Sequence, residues 1–411
     1  MELRVCDTWA VEALTPGATV RLDVPPAPLV NVSAERCAAL PLFNAAAWGW
    51  GKGYRLSGVE TQETTVKGAL VPGSLELRAA PDGPPLRRGR DYEIDEDWGT
   101  VGCLPGGTLA PGAPAWAAYT CGIARLDSVI AAEDGRLALR QGTPHPAAPH
   151  PPPLHAGETR LANIWLPARL AGLSADCLFP VLEAHYPEAA PAVPPPAQAL
   201  LPRAYSKLTH GETLRVLAWG DSVTDAGYLP SPAERWQAQF VARLQAQFPD
   251  ARIELSTEAW GGRNTTTYLA EPPGAEHNFA EKVLAAHPDL IVSEFVNDSG
   301  LTAAQVETQY GHILSKFRRQ GAEWIILTPH YMLPEWMGLQ RQREIDDDPR
   351  EYVKAVRAFA AANGVALADA APRWGRLWRQ GLPYMTLMLN AINHPDARGL
   401  KLYADSLMTL F

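Results

Sequence analysis

The sequence lacks any run of eighteen apolar residues and any excess of positive charge. Without such a run we expect no transmembrane helix and no insertion into a membrane. The net charge of −9 at pH 7 argues against nucleic acid as a partner, because an acidic surface repels the phosphate backbone. The first residues also lack the apolar core of a signal peptide, which leaves open a cytoplasmic protein or a secreted one already trimmed.

Cysteine is scarce as well. The five cysteines are widely spaced, and no two form a Cys-x-x-Cys pair. This spacing excludes a zinc-ribbon pattern and gives no disulfide framework, so we expect the cysteines to be small buried side chains. We expect no metal ion and no cofactor. The cysteines are Cys6, Cys37, Cys103, Cys121 and Cys177.

The first part of the chain has no long helical periodicity. Residues 1 to 140 hold short strand-like runs that are broken by glycine, proline and aspartate. Residues 125–130 and 136–140 flank Glu133-Asp-Gly135, a pattern typical of a β-hairpin. Many short strands with regular turns predict an all-β, sandwich-like domain. We place this domain at residues 1–185, where it ends in a proline-rich connector, and a linker at residues 186–210.

From residue 211 to residue 411 the pattern changes to strands that alternate with helices. Such alternation predicts a parallel sheet with helices on both faces, a three-layer α/β domain. The expected strands are residues 215–219, 253–257, 290–295, 324–328 and 365–368. The expected helices are residues 233–248, 280–287, 303–320, 349–363 and 398–410.

Ser222 lies where the first of these strands turns toward a helix. An apolar run ends at Gly220-Asp-Ser222, and the glycine allows a sharp turn of the backbone. Open α/β sheets place their chemistry at the carboxyl ends of the strands. Ser222 is therefore a candidate nucleophile, although Gly-Asp-Ser alone also suits a plain turn.

Ester hydrolysis by serine needs a base and oxyanion donors beside the nucleophile. Gly262 follows the second strand and can offer a main-chain N–H, while Asn297 follows the third and can offer its amide. His394 precedes the last helix and is a candidate general base. Each residue alone also fits a turn, a helix cap or a loop. Because all four residues lie near strand ends or helix starts, we expect them to form a single site.

These four positions resemble the sequence blocks of the GDSL or SGNH hydrolase superfamily, over about residues 214–411. The resemblance implies a flavodoxin-like sheet and a metal-independent esterase, lipase, thioesterase or carbohydrate deacetylase. It makes Ser222 the nucleophile, and it makes Gly262 (or Gly261) and Asn297 the oxyanion donors. His394-Pro395 matches the last block and becomes the base. Phe295 stands where the family often has glycine.

One position departs from the family pattern. The family usually has an aspartate three residues before the histidine, and this chain has Ala391 there. Losing the partner of a catalytic histidine can cost about 10⁴ in kcat in serine triads. A main-chain carbonyl, the amide oxygen of Asn390 or the carboxylate of Asp396 could orient His394 instead.

From these features we expect a serine esterase that hydrolyses short acyl esters, above all acetyl, on a carbohydrate. Trp260 beside the glycines would suit stacking on a sugar ring. His330, Tyr331 and Trp336 follow the fourth strand and are candidates for substrate contact or for loop packing. A lipase or thioesterase of the same superfamily is the alternative, as is a binding protein with a decayed site. The sequence leaves the oligomeric state open.

Overall fold

The computed structural model describes residues 2–15 and 18–411. The chain divides into two compact units that are not simply consecutive in sequence. The first unit holds the chain up to His185 together with Gln340–Glu344 and Leu377–Asn393. The second holds Tyr186–Leu339, Ile345–Arg376 and His394–Phe411.

The first unit is built from antiparallel sheets, as the sequence predicts for a sandwich-like all-β domain. Its sheets have the strand orders β1-β2-β3, β4-β9-β6, β5-β8-β7 and β11-β10-β12-β13. The predicted hairpin is confirmed, because β10 and β11 pair antiparallel with Val129 opposite Leu139. The strands are β1 (Glu2–Asp7), β2 (Ala10–Thr15), β3 (Ala18–Asp23), β4 (Leu29–Cys37), β5 (Tyr54–Arg55), β6 (Glu76–Arg78), β7 (Tyr92–Asp95), β8 (Thr100–Cys103), β9 (Ala115–Gly122), β10 (Arg125–Ala131), β11 (Leu137–Arg140), β12 (Thr159–Leu166) and β13 (Leu178–Pro180).

Strand β9 shows how these sheets bury one face. Ala115, Ala117 and Tyr119 point into the core, while the residues between them are half-exposed. Four cysteines are buried, as expected, in the cores of this unit. Cys6 is exposed, and the prediction of burial is wrong there, because the register between β1 and β2 shifts around it.

The second unit is a three-layer α/β domain with the predicted parallel sheet. The strand order is β15-β14-β16-β17-β18, the flavodoxin-like order that reverses between β14 and β16. All five predicted strands are confirmed, with ends that differ by one or two residues. The strands are β14 (Thr213–Gly220), β15 (Arg252–Ala259), β16 (Leu290–Glu294), β17 (Glu323–Leu327) and β18 (Ala366–Ala368).

Most helices of this unit also lie where the sequence pattern predicts them. Two short helices, α1 and α2, occupy the predicted linker, and each begins at a proline, which suits a first helical turn. Among the described residues, no helix is both long and apolar enough to span a bilayer. The helices are α1 (Pro196–Leu200), α2 (Pro202–Thr209), α3 (Ser222–Asp225), α4 (Trp236–Gln247), α5 (Thr265–Ala270), α6 (Ala303–Gln320), α7 (Glu351–Asn363), α8 (Ala371–Gly375) and α9 (Ala397–Met408).

Two of these segments differ from the prediction. Phe279–Leu284 is a π-helix rather than an α-helix. Helix α5 was not predicted, because its three consecutive β-branched threonines have low helix propensity. A capping box between Asn264 and Thr267 compensates by satisfying the first N–H groups.

An aromatic cluster anchors the carboxyl end of β14. The indole of Trp219 is fully buried, and the rings of Tyr268, Phe279, Phe295 and Phe317 surround it with centroids 4.9 to 6.0 Å away. Rings of this size bury a large apolar area, and three of the four meet the indole edge to face. The strand end that carries Gly220 is therefore held rigidly.

Glu294 is the last residue of β16, and its carboxyl is fully buried. It accepts hydrogen bonds from Tyr403 Oη at 3.2 Å and from Thr224 Oγ1 at 3.4 Å. Burial, with a further contribution from the charge of Asp221, raises the pKa of Glu294 well above its ordinary value of 4.5. The folded protein thus holds this proton more tightly than the unfolded chain does.

Glu294→Gln should therefore gain stability relative to wild type as the pH rises. A raised pKa stabilises the fold below the unfolded value, and this contribution is lost at higher pH, where the wild type must ionise a buried group. We expect the difference in Tm between variant and wild type to move in favour of the variant from about pH 5 to about pH 8. Glu254→Gln, at an exposed position of β15, is the control, since that carboxylate lies at the surface, where it pairs with Arg252. If the Tm values of Glu294→Gln and of the wild type change in parallel with pH, the assignment of a raised pKa to Glu294 is wrong.

Candidate active site

Ser222 is the first residue of α3, directly after the end of β14. Gly220 is required there, because a Cβ atom would overlap the side chain of Thr224 and the main-chain oxygen of Glu294. Asp221 caps the helix by accepting a hydrogen bond from Val223 N at 3.1 Å. The tight turn fixes the direction in which the Ser222 hydroxyl points.

The structure brings His394 and Ser222 together from opposite ends of the domain sequence. His394 Nε2 lies 3.1 Å from Ser222 Oγ. The imidazole stacks on the ring of Tyr228, with centroids 4.5 Å apart and planes 9° from parallel. Burial lowers the pKa of His394 to about 4, so the ring is neutral near pH 7 and able to accept a proton.

The side chains that could orient His394 are engaged in shaping its loop. Asp396 caps α9, because its carboxylate accepts from the N–H groups of Arg398 and Gly399 and from the Arg398 guanidinium. The amide oxygen of Asn390 accepts from Ile392 N at 3.0 Å and from the N–H of the following residue at 2.8 Å. These contacts favour a main-chain carbonyl as the partner of His394, which stays a prediction.

The glycine pair lies in a turn between Trp260 and Arg263. Arg263 N donates to Trp260 O at 3.2 Å, and Gly262 has a φ of +71°, which favours glycine. A Cβ atom on Gly261 would lie 3.8 Å from Ser222 Cβ, so this backbone passes close to the serine. The sequence leaves the two glycines as alternatives, and both lie in the turn that faces Ser222.

Asn297 is held at two points. Its main-chain N–H donates to Asp221 Oδ2 at 3.0 Å, and its side-chain Nδ2 donates to Arg263 O at 3.1 Å. A carboxamide nitrogen carries two hydrogens, so a second donor remains after the bond to Arg263. The predicted oxyanion loops are thereby tied to each other and to the residue beside Ser222.

Asp221 and Asp298 are fully buried beneath these loops. Burial raises the pKa of Asp221, and the charge of Asp298 adds to the effect. Burial also raises the pKa of Asp298 to about 6. Asp298 accepts from Thr265 N at 3.1 Å and from Tyr310 Oη at 2.8 Å. The two carboxyls bind three separate loops through hydrogen bonds to main chain and side chains.

Several residues near the site were not predicted. Tyr228 is a single tyrosine in a loop, and no local pattern marks it as the stacking partner of His394. Asp221 and Asp298 stand next to predicted site residues, and this adjacency is the signal that could have found them.

Of the four residues that the sequence offered as substrate contacts, Trp336 is 39% exposed, and the other three pack within the protein. His330 and Tyr331 are fully buried, and His330 N donates to Tyr403 Oη at 2.6 Å, so their role is packing. The indole of Trp260 stacks on the imidazole of His277 at 4.6 Å, which occupies one face that a sugar would need.

Several solved structures are similar to part of this chain. A two-domain esterase (CEX) active on acetylated mannans has 17% identity and a TM-score of 0.41, over 51% of this chain and 52% of its own. An acetyl xylan esterase from Geobacillus stearothermophilus has 18% identity and a TM-score of 0.38, over 47% and 93%. The acetyl xylan esterase AlAXEase has 22% identity and a TM-score of 0.37, over 47% and 98%.

The match thus spans about half the length of the two-domain esterase. No curated protein matches the chain. Residues 218–402 match the model of the GDSL-like lipase/acylhydrolase family, a range that includes Ser222, both predicted oxyanion loops and His394. The chain therefore carries, at residues 218–402, a domain of the GDSL-like lipase/acylhydrolase family.

Proposed function

We propose that this domain is a serine esterase that hydrolyses short acyl esters, above all acetyl, on a carbohydrate. The observation that carries the proposal is the 3.1 Å contact between Ser222 Oγ and a His394 ring whose pKa is about 4. A hydroxyl in hydrogen-bond contact with a neutral imidazole is the arrangement that activates a serine nucleophile. The same contact argues against a decayed site.

In the first step Ser222 Oγ attacks the ester carbonyl carbon while its proton passes to His394 Nε2. The carbonyl oxygen becomes an oxyanion, which the free hydrogen of Asn297 Nδ2 and the main-chain N–H groups of Gly262 and Ser222 stabilise. The intermediate then expels the alcohol, which takes the proton from His394. This leaves an acyl-serine and a neutral imidazole.

In the second step a water molecule repeats the attack on the acyl-serine. His394 takes a proton from the water, the same donors hold the second oxyanion, and Ser222 Oγ leaves with the proton returned to it. The products are a carboxylic acid and the free enzyme. In both steps His394 is the group that accepts each proton and passes it on.

Two indoles of the first unit, one exposed and one half-buried, support a carbohydrate as the carrier of the ester. Trp48 is 68% exposed, and its ring is stacked on Trp50 with centroids 5.6 Å apart. A second indole, Trp116, lines a groove of about 460 Å³ together with the charged side chains of Glu76 and Arg78. Flat aromatic faces beside polar groups suit sugar rings, which present apolar C–H faces and hydroxyl edges.

Ser222→Ala should abolish hydrolysis of p-nitrophenyl acetate, with kcat lower by at least about 10⁴, because it removes the hydroxyl that forms the acyl intermediate. Ser256→Ala, on an exposed position of β15, is the matched control and should keep full activity. Both variants should unfold near the Tm of the wild type. Activity of Ser222→Ala at the wild-type level would exclude the serine mechanism.

Acyl chain length should separate an acetyl esterase from a lipase. The sequence has no amphipathic segment typical of a lipase lid, so we expect kcat/KM to be highest for two- to four-carbon p-nitrophenyl esters. Acyl thioesters should be poorer substrates than the matching oxygen esters. A value that rises steadily to eight carbons and beyond would favour the lipase alternative.

Trp48→Ala and Trp116→Ala test the carbohydrate part of the proposal. On acetylated xylan or acetylated mannan, at least one variant should lose about three- to tenfold in kcat/KM, the scale of one aromatic contact. On p-nitrophenyl acetate both variants should match the kcat/KM of the wild type, because this small ester has no sugar ring to stack on an indole. Unchanged kinetics of both variants on every polymer would remove the support that these indoles give.

A further inference from the structure

The chain segment that leads into His394 is packed in the first unit. Leu377–Asn393 belongs to the same compact body as the N-terminal β-sheets, and the next residue in the chain is His394. Its side chains are largely buried, including Met388 and Ile392. The path of the backbone just before the proposed base is therefore set by the first unit.

Two threonine hydroxyls hold this segment by its main chain. Thr61 Oγ1 donates to Leu389 O, and Thr64 Oγ1 donates to Asn390 O, each at 2.5 Å. Both hydroxyls come from one tight turn, which Thr61 N closes by donating to Thr64 O at 2.9 Å. Thr64 is only 4% exposed, so water cannot readily replace its hydroxyl.

From Asn390 the backbone is fixed up to His394. The Asn390 amide oxygen accepts from the N–H groups of Ile392 and Asn393, and its Nδ2 donates to Asn393 Oδ1 at 3.0 Å. Ala391 has a φ of +56°, a left-handed conformation that an alanine adopts only when its surroundings impose it. This is the position at which the family usually has the aspartate that orients the histidine.

We infer that Thr61 and Thr64 are positioning residues for His394, an inference that rests on the proposed function. They hold the carbonyls of Leu389 and Asn390, and so the backbone that leads directly into His394, whose Nε2 lies 3.1 Å from Ser222 Oγ. A displacement of about 1 Å at a reacting group can cost up to about 100-fold in rate, so this restraint bears on kcat.

Thr64→Val tests the inference, because it removes the hydroxyl and keeps the volume. We expect kcat on p-nitrophenyl acetate to fall by about tenfold or more, with KM changed by less than about twofold. The rate at which a fluorophosphonate labels Ser222 should fall in parallel, since labelling also needs His394 as base. Thr64→Ser keeps the hydroxyl and should restore kcat.

Thr65→Val is the matched control. Its hydroxyl is equally buried and donates to Trp98 O at 2.5 Å, a carbonyl outside the segment that precedes His394. A merely structural role would lower Tm in both valine variants and leave kcat alone. The inference therefore requires a similar loss of Tm in the two variants and a loss of kcat in Thr64→Val only.

Equal kcat values for Thr64→Val and Thr65→Val would overturn the inference. If Thr64→Val does not fold, Thr61→Val decides the matter, since Thr61 is only partly buried and holds the neighbouring carbonyl. An unchanged kcat in that variant would overturn the inference as well. Failure of the proposed function would look different. In that case the wild-type protein itself would show no Ser222-dependent hydrolysis.

Discussion

The site depends on carboxyl groups that are buried beneath it. Asp221 joins the turn after β14 to the loop after β16 through Asn297 N, and Asp298 joins that loop to the start of α5. Glu294 adds bonds to α3 and α9. Such groups are costly to bury, but each bond to a main-chain N–H or a hydroxyl fixes a loop that the sheet alone would leave free. The loops that carry Ser222, the glycine turn and Asn297 thus hold their geometry together.

The parallel sheet and the order of the candidate residues could be predicted from the sequence. Buried parallel strands are short apolar runs, and the residues that end them lie at one edge whatever the detailed packing. This rule was enough to relate Ser222 to Asn297. The contact between Ser222 and His394, 172 positions apart, followed from the family pattern.

Other features depend on tertiary contacts that leave no local pattern. Helix α5 exists because of its capping box, against the propensity of its threonines. The stacking of Tyr228 on His394 and the packing of His330 against Tyr403 are set by long-range packing. Hydrophobic periodicity indicates which residues are buried but not which part of the chain they pack against. It therefore could not show that Leu377–Asn393 belongs with the N-terminal sheets.

The interleaved order of the two units along the chain has a consequence for biosynthesis. Domains generally fold as units while the chain emerges from the ribosome, the N-terminal one first. Here the N-terminal sheets still lack Leu377–Asn393 when the whole parallel sheet has already been translated. The first unit is thus complete only at Asn393, shortly before His394–Phe411 completes the second, and cutting the chain near residue 210 would separate neither unit intact.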